Sequence, residues 1–128
     1  FLPPDDPRIV ATVNAVADEL AVSGFLRRYP PVVDDGLVGV EGAFMCCSFW
    51  LVSALVEIGE LPRARRLCER QLANASCLGL YAEEFDPRSC RHLGNFPQAL
   101  THLALINAVM HVVEAERVAE TEALGTLS

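Results

Sequence analysis

Apolar residues mark four helical stretches along the chain, alternating between one-sided and all-round. From about Pro7 to Ser23, Ile9, Val13, Val16 and Leu20 fall on one stripe, with Arg8, Asp18 and Glu19 elsewhere. That is the spacing of an amphipathic surface helix, with Asp6 as N-cap and Pro7 at its first position. From about Gly42 to Ile58, Phe44, Met45, Phe49, Trp50, Leu51 and Leu55 leave no polar face. A helix of that kind must be enclosed by other protein, and Gly59 is expected to end it. A third helix starts at Pro62 and turns Ala64, Leu67, Cys68, Leu72 and Ala75 inward, with Arg63, Arg65, Arg66, Glu69 and Arg70 toward solvent. The fourth starts near Pro97 and is again largely apolar, through Leu100, Leu103, Leu105, Ile106, Val109, Met110 and Val112. Charge returns only at Glu114, Glu116 and Arg117, and residues 120–128 are expected to fray.

The order outer, inner, outer, inner predicts an all-α fold, a segment of a toroid of paired helices. A free-standing four-helix bundle would need a polar stripe on every helix. Two enclosed helices with only two covers leave apolar surface unmatched, so further chain is expected to supply the rest. The start at Phe1, without an initiator Met, fits a piece of something longer, with residues 1–119 as part of one domain. The longest apolar run, Ala43 to Val56, is interrupted by Ser48 and Ser53 and falls short of the roughly 20 residues of a membrane span.

Hydrophobic residues make up 52% of the chain and charged ones 21%, enough to bury a core. Lys+Arg 10 against Asp+Glu 17 gives a formal charge of -7, which argues against nucleic acid or an anionic membrane surface as partner. The five cysteines are odd in number and contain no CxxC, so they read as small thiols in a reducing, cytoplasmic compartment. No His and Cys pair has zinc-ligand spacing and no glycine-rich phosphate loop is present, so neither a metal nor a cofactor is expected.

Two long connections interrupt the helices, Gly24 to Glu41 and Ser76 to Phe96, and loops of this length in compact domains are commonly functional. Both join an outer helix to an inner one, so both should emerge at one end and share a mouth. The second carries Tyr81-Ala82-Glu83-Glu84-Phe85-Asp86-Pro87. In extended backbone, adjacent residues point to opposite sides, so Glu83 and Glu84 cannot both face one cavity. The inward one could be a general base; the plainer reading is two solvated loop carboxylates. Asp34-Asp35-Gly36 is a turn signature. Glu41 could cap the second helix through its dipole or face the mouth. His102 and His111 read as hydrogen-bonded core residues of the fourth helix, His92 as a loop residue within reach of a ligand, and Trp50 as core or as a sugar-stacking ring at the mouth.

Glu41-Gly42-Ala43-Phe44, Cys47-Ser48-Phe49-Trp50-Leu51-Val52, Gly79 to Pro87, and Leu93-Gly94-Asn95-Phe96-Pro97-Gln98-Ala99 together resemble the late helices of glycoside hydrolase family 15. That family contains bacterial glucoamylases, glucodextranase-like enzymes and microbial trehalases, and the resemblance runs from Asp6 to about Asn107. It implies the C-terminal portion of an (α/α)6 toroid and an inverting glycosidase acting on α-linked glucose oligosaccharides or α,α-trehalose. Glu83 matches the family's general base, with Glu84 as fallback, and Glu41, Asn95, Gln98 and Trp50 would help to bind substrate. The family's general acid lies on an earlier helix–loop unit, so the partner implied is the N-terminal part of the same enzyme, and the isolated chain is expected to be inactive. A second class is a non-catalytic interaction module, because Ala54 to Ala73 looks like one tetratricopeptide-type helix pair. Such arrays need about three or more similar repeats, and the other helices do not repeat this pair.

Overall fold

The computed structural model describes residues 2–30 and 41–125. Asp34 and Asp35 lie outside the described residues. Helix α1 (Pro7–Leu20) starts as expected: Asp6 accepts from the Arg8 amide at 2.9 Å and Pro7 opens the first turn. It stops before Ser23 because Ala21–Val22 (β1) and Phe25–Leu26 (β2) pair as a tight antiparallel hairpin. Val16 on the expected stripe is largely exposed, and Ala17 is buried in its place.

Helix α2 (Met45–Glu57) is the centre of the core. Met45, Cys46, Phe49, Val52 and Leu55 are buried against α1, α3 and α4. Gly59 ends it as read from the sequence. At a φ of 82° it lets its own amide bond Val56 O and the Glu60 amide bond Leu55 O, so the last carbonyls are satisfied. Helix α3 (Leu61–Leu72) buries Ala64 and Cys68 but leaves Leu72 exposed. Its buried polar residue is Gln71, whose Nε2 donates to Ser48 O at 2.9 Å. Ser48 in turn accepts from the Leu26 amide and donates to Phe44 O. This chain of bonds pairs the Gln71 amide nitrogen and the Ser48 hydroxyl inside an apolar helix contact, while Gln71 Oε1 is buried without a hydrogen-bond partner among the described residues.

The purely helical expectation needs correction at the connections. Ala43–Phe44 (β3), Glu84–Asp86 (β4) and Arg91–Leu93 (β5) form a three-stranded antiparallel sheet in the order β3-β4-β5. The sheet therefore joins the second long connection, which supplies β4 and β5, to residues just after the first; β3 occupies the expected first turn of the second helix, which starts only at Met45. Extended pairing satisfies backbone groups that a loose loop would leave to water.

Helix α4 (Ala99–Gly125) runs six residues into the stretch expected to fray. It packs on α2 with small residues, Thr101, Ala104 and Ala108, followed by Val112. Its large apolar side chains point away: Leu103 is 60% exposed, Ile106 57% and Met110 60%. The enclosure expected for this helix is thus absent among the described residues. His111, expected in the core, is exposed. Trp50 is 50% exposed on α2, which places it outside the core as well.

Candidate active site

The backbone of Tyr81-Ala82-Glu83 has a hydrogen-bond partner at every N–H and C=O. Tyr81 N donates to His102 Nε2 at 3.3 Å, and Tyr81 O accepts from Gln98 N at 3.0 Å. Ala82 N donates to His92 Nδ1, and Ala82 O accepts from the Thr101 hydroxyl at 3.1 Å. Glu83 N donates to Asn95 O at 2.9 Å, and Glu83 O accepts from Met45 N at 3.0 Å. His102 also sets its other ring nitrogen against Gln98 O at 2.7 Å, so Nδ1 donates there and Nε2 accepts. His102 is hydrogen-bonded as expected but half-buried rather than in the core, and His92 serves the same segment.

Aromatic packing holds the segment from beneath. Tyr81 stands edge-on to Phe49 at 5.6 Å and sends its hydroxyl to the last carbonyls of α3, Gln71 O and Leu72 O. His92 packs between Phe85 at 5.5 Å and Phe96 at 5.8 Å.

Glu83 and Glu84 diverge, as extended backbone demands. Glu83 Oε2 accepts from Asn95 Nδ2 at 3.0 Å and from the Asn95 amide at 3.3 Å. Among the described residues, none bonds its other oxygen. Glu84 opens β4 opposite Phe44 and Leu93, and its Oε2 accepts from the Gly42 amide at 2.9 Å. Burial is the main cause that holds the Glu84 carboxyl above the usual carboxylate range. The Gly42 amide opposes that rise, and the nearby charges of Glu41 and Glu83 add to it.

That shift has a measurable consequence. A carboxyl whose pKa is raised by folding holds its proton more tightly in the native chain than in the unfolded one. Its contribution to stability therefore falls as pH rises from the ordinary value of 4.5 through the raised one. Glu84→Gln keeps an oxygen for the Gly42 amide and removes the charge. Thermal melting should show the variant gaining on the parent as pH rises from below 4.5 to neutrality. A gain that shrinks over this interval would mean that folding favours the carboxylate.

Glu41 does not cap α2, whose N-cap is Phe44. Its Oε1 is held by the Arg28 guanidinium and by the Tyr29 hydroxyl at 3.1 Å. Arg28 lies over the Tyr29 ring at 4.9 Å and the Phe44 ring at 5.1 Å. Gln98 caps the start of α4, with its Oε1 accepting from the Leu100 amide at 3.4 Å. Of the residues expected to bind substrate, the fold brings only Asn95 onto Glu83. Glu41 is engaged with Arg28, Gln98 with its own helix, and Trp50 stands on the exposed side of α2.

Residues 1–110 match the family model described as glycosyl hydrolases family 15. The chain belongs to this family. The match takes in α2 and α3 within one continuous stretch, which leaves the separate repeat-type module without support. Among curated relatives, the chain is 66% identical to a trehalase of Mycobacterium tuberculosis over 97% of its length, and 66% identical to one of Mycolicibacterium smegmatis over 94%. It is 43% identical to a trehalase of Thermoplasma acidophilum over 90% of its length. It spans only 18% of each mycobacterial trehalase and 20% of the Thermoplasma one. No solved structure matches the chain.

Proposed function

We propose that this chain is the C-terminal part of the catalytic domain of a family-15 trehalase, and that Glu83 is its general base. The reading is carried by one observation: Glu83 stands on a fully hydrogen-bonded backbone, with one carboxylate oxygen held by Asn95 and the other without a described partner. A base needs that combination, a fixed position and an available lone pair. The substrate class follows the relatives, which carry the name trehalase at up to 66% identity.

In the proposed reaction Glu83 takes a proton from water as the water oxygen attacks an anomeric carbon of α,α-trehalose. The bond from that carbon to the bridging oxygen breaks, and a carboxylic acid on the opposite face protonates the departing oxygen. Two glucose molecules result, one released with inverted configuration. An inverting pair leaves room for the water, roughly 6.5–9.5 Å between carboxyl groups. Glu41 is engaged by Arg28 and Tyr29 rather than standing beside Glu83, so the acid is assigned to the larger part of the enzyme that precedes this stretch. That part also fits the open apolar face of α4, in keeping with a segment of an (α/α)6 toroid. The cysteine content fits a cytoplasmic enzyme.

The direct test compares the full-length enzyme with its Glu83→Gln and Glu84→Gln variants on trehalose. Collapse of turnover with Glu83→Gln alone supports the assignment, and collapse with Glu84→Gln alone moves the base by one residue. The isolated chain should release no glucose from trehalose and should self-associate through Leu103, Ile106 and Met110, since large exposed apolar patches drive association. Glucose release by the chain alone, abolished by Glu83→Gln, would place a complete acid–base pair within it.

A further inference from the structure

We infer that Gly94 is a positioning residue for the Glu83 carboxylate. The inference rests on the assignment of Glu83 as the base and adds a requirement that the assignment does not contain. A methyl group built on the Gly94 α-carbon would lie 2.9 Å from Glu83 Oε2, 3.1 Å from its Cβ and 3.6 Å from its Cδ. The first distance is shorter than such contacts tolerate, and the second leaves the stem of the side chain little space to retreat. The backbone cannot give way either, because Glu83 N is bonded to Asn95 O and Glu83 O to Met45 N. Any side chain at 94 would therefore press on the Glu83 side chain and shift its carboxylate relative to Asn95 by tenths of an ångström.

The same residue has a φ of 71°, so two separate reasons favour glycine there. They can be told apart within this chain. Gly79 has the same φ of 71°, yet a methyl group on it meets nothing within 4 Å. Gly79→Ala thus carries the backbone strain without the contact. Asn tolerates the left-handed region better than most residues, so Gly94→Asn relieves the strain and keeps the contact.

The experiment measures kcat and KM on trehalose for the full-length enzyme carrying Gly94→Ala, Gly94→Asn, Gly79→Ala and Glu83→Gln, with Gly94→Ala also combined with Glu83→Gln. Misplacement of a catalytic group by about 1 Å costs up to about 100-fold. The contacts at Gly94 require a smaller shift, so both Gly94 variants should lose about tenfold or less in kcat relative to Gly79→Ala, with KM little changed. In the Glu83→Gln background Gly94→Ala should add no comparable loss, since the group it displaces no longer acts as a base. Should Gly94→Ala fold poorly, Gly94→Asn carries the same comparison. Gly94 variants that match Gly79→Ala, full turnover in Gly94→Asn, or an undiminished loss in the double variant would each overturn the inference. Unchanged turnover in Glu83→Gln alone would instead overturn the assignment of the base.

Discussion

Replacing Glu83 by Gln in the full-length enzyme should lower kcat on trehalose by about 10² to 10⁴-fold, the range that a positioned acid or base contributes. The substitution is nearly isosteric, and a glutamine oxygen can still accept from Asn95 Nδ2. The local hydrogen bonds at Asn95, and with them substrate affinity, should survive. KM should therefore change little, the signature of a group whose main work is done in the transition state. Circular dichroism and melting of the variant should match the parent, because the hydrogen bonds that hold Tyr81 to Glu83 are made by backbone atoms and by His92, His102 and Thr101. A large rise in KM with kcat preserved would make Glu83 a binding residue instead.

Phe49→Ala should destabilise the chain by about 3–5 kcal/mol, as emptying a large core site does. Phe49 has no exposed surface and lies at the centre of α2, edge-on to Tyr81. The aromatic pair adds about 0.5–1.5 kcal/mol beyond the area buried. Against a total stability of about 5–15 kcal/mol for a typical protein, that is a large fraction. Urea unfolding should show it as a lower midpoint with little change in slope. Trp50→Ala, one residue away but half exposed, should cost the isolated chain much less. Equal losses at the two positions would mean that α2 is turned differently from the arrangement described. Because Tyr81 rests on Phe49, the core substitution should also loosen the Glu83 segment, so turnover in the full enzyme should fall along with stability.

The helices were legible because their signals are local. Asp6 with Pro7, Gly59, and the polar face of α3 need only neighbours within a turn or two, and each appears where the periodicity puts it. Leu72 and Val16 lie on the expected stripes but are exposed, because helical spacing marks a face and not the partner that would cover it. Gln71 carries no local signal of its burial. Its burial depends on Ser48 O, 23 residues away, and no rule of periodicity places a polar side chain in a core.

At the site, the family motifs singled out Glu83 and Asn95, and extended backbone alone requires Glu83 and Glu84 to face apart. The sequence by itself therefore determined the helical frame and marked the acidic segment as the candidate place for chemistry. Only the tertiary structure decided what each acid contacts. It put Asn95 on Glu83, the Gly42 amide on Glu84 and Arg28 on Glu41, contacts spanning 12, 42 and 13 residues. It also paired the residues before α2 with the second connection in one sheet and aimed the large side chains of α4 away from the core. Pattern along a chain reports which face of an element prefers burial. Which charge meets which partner depends on how distant elements pack, and that is settled only when the chain closes on itself.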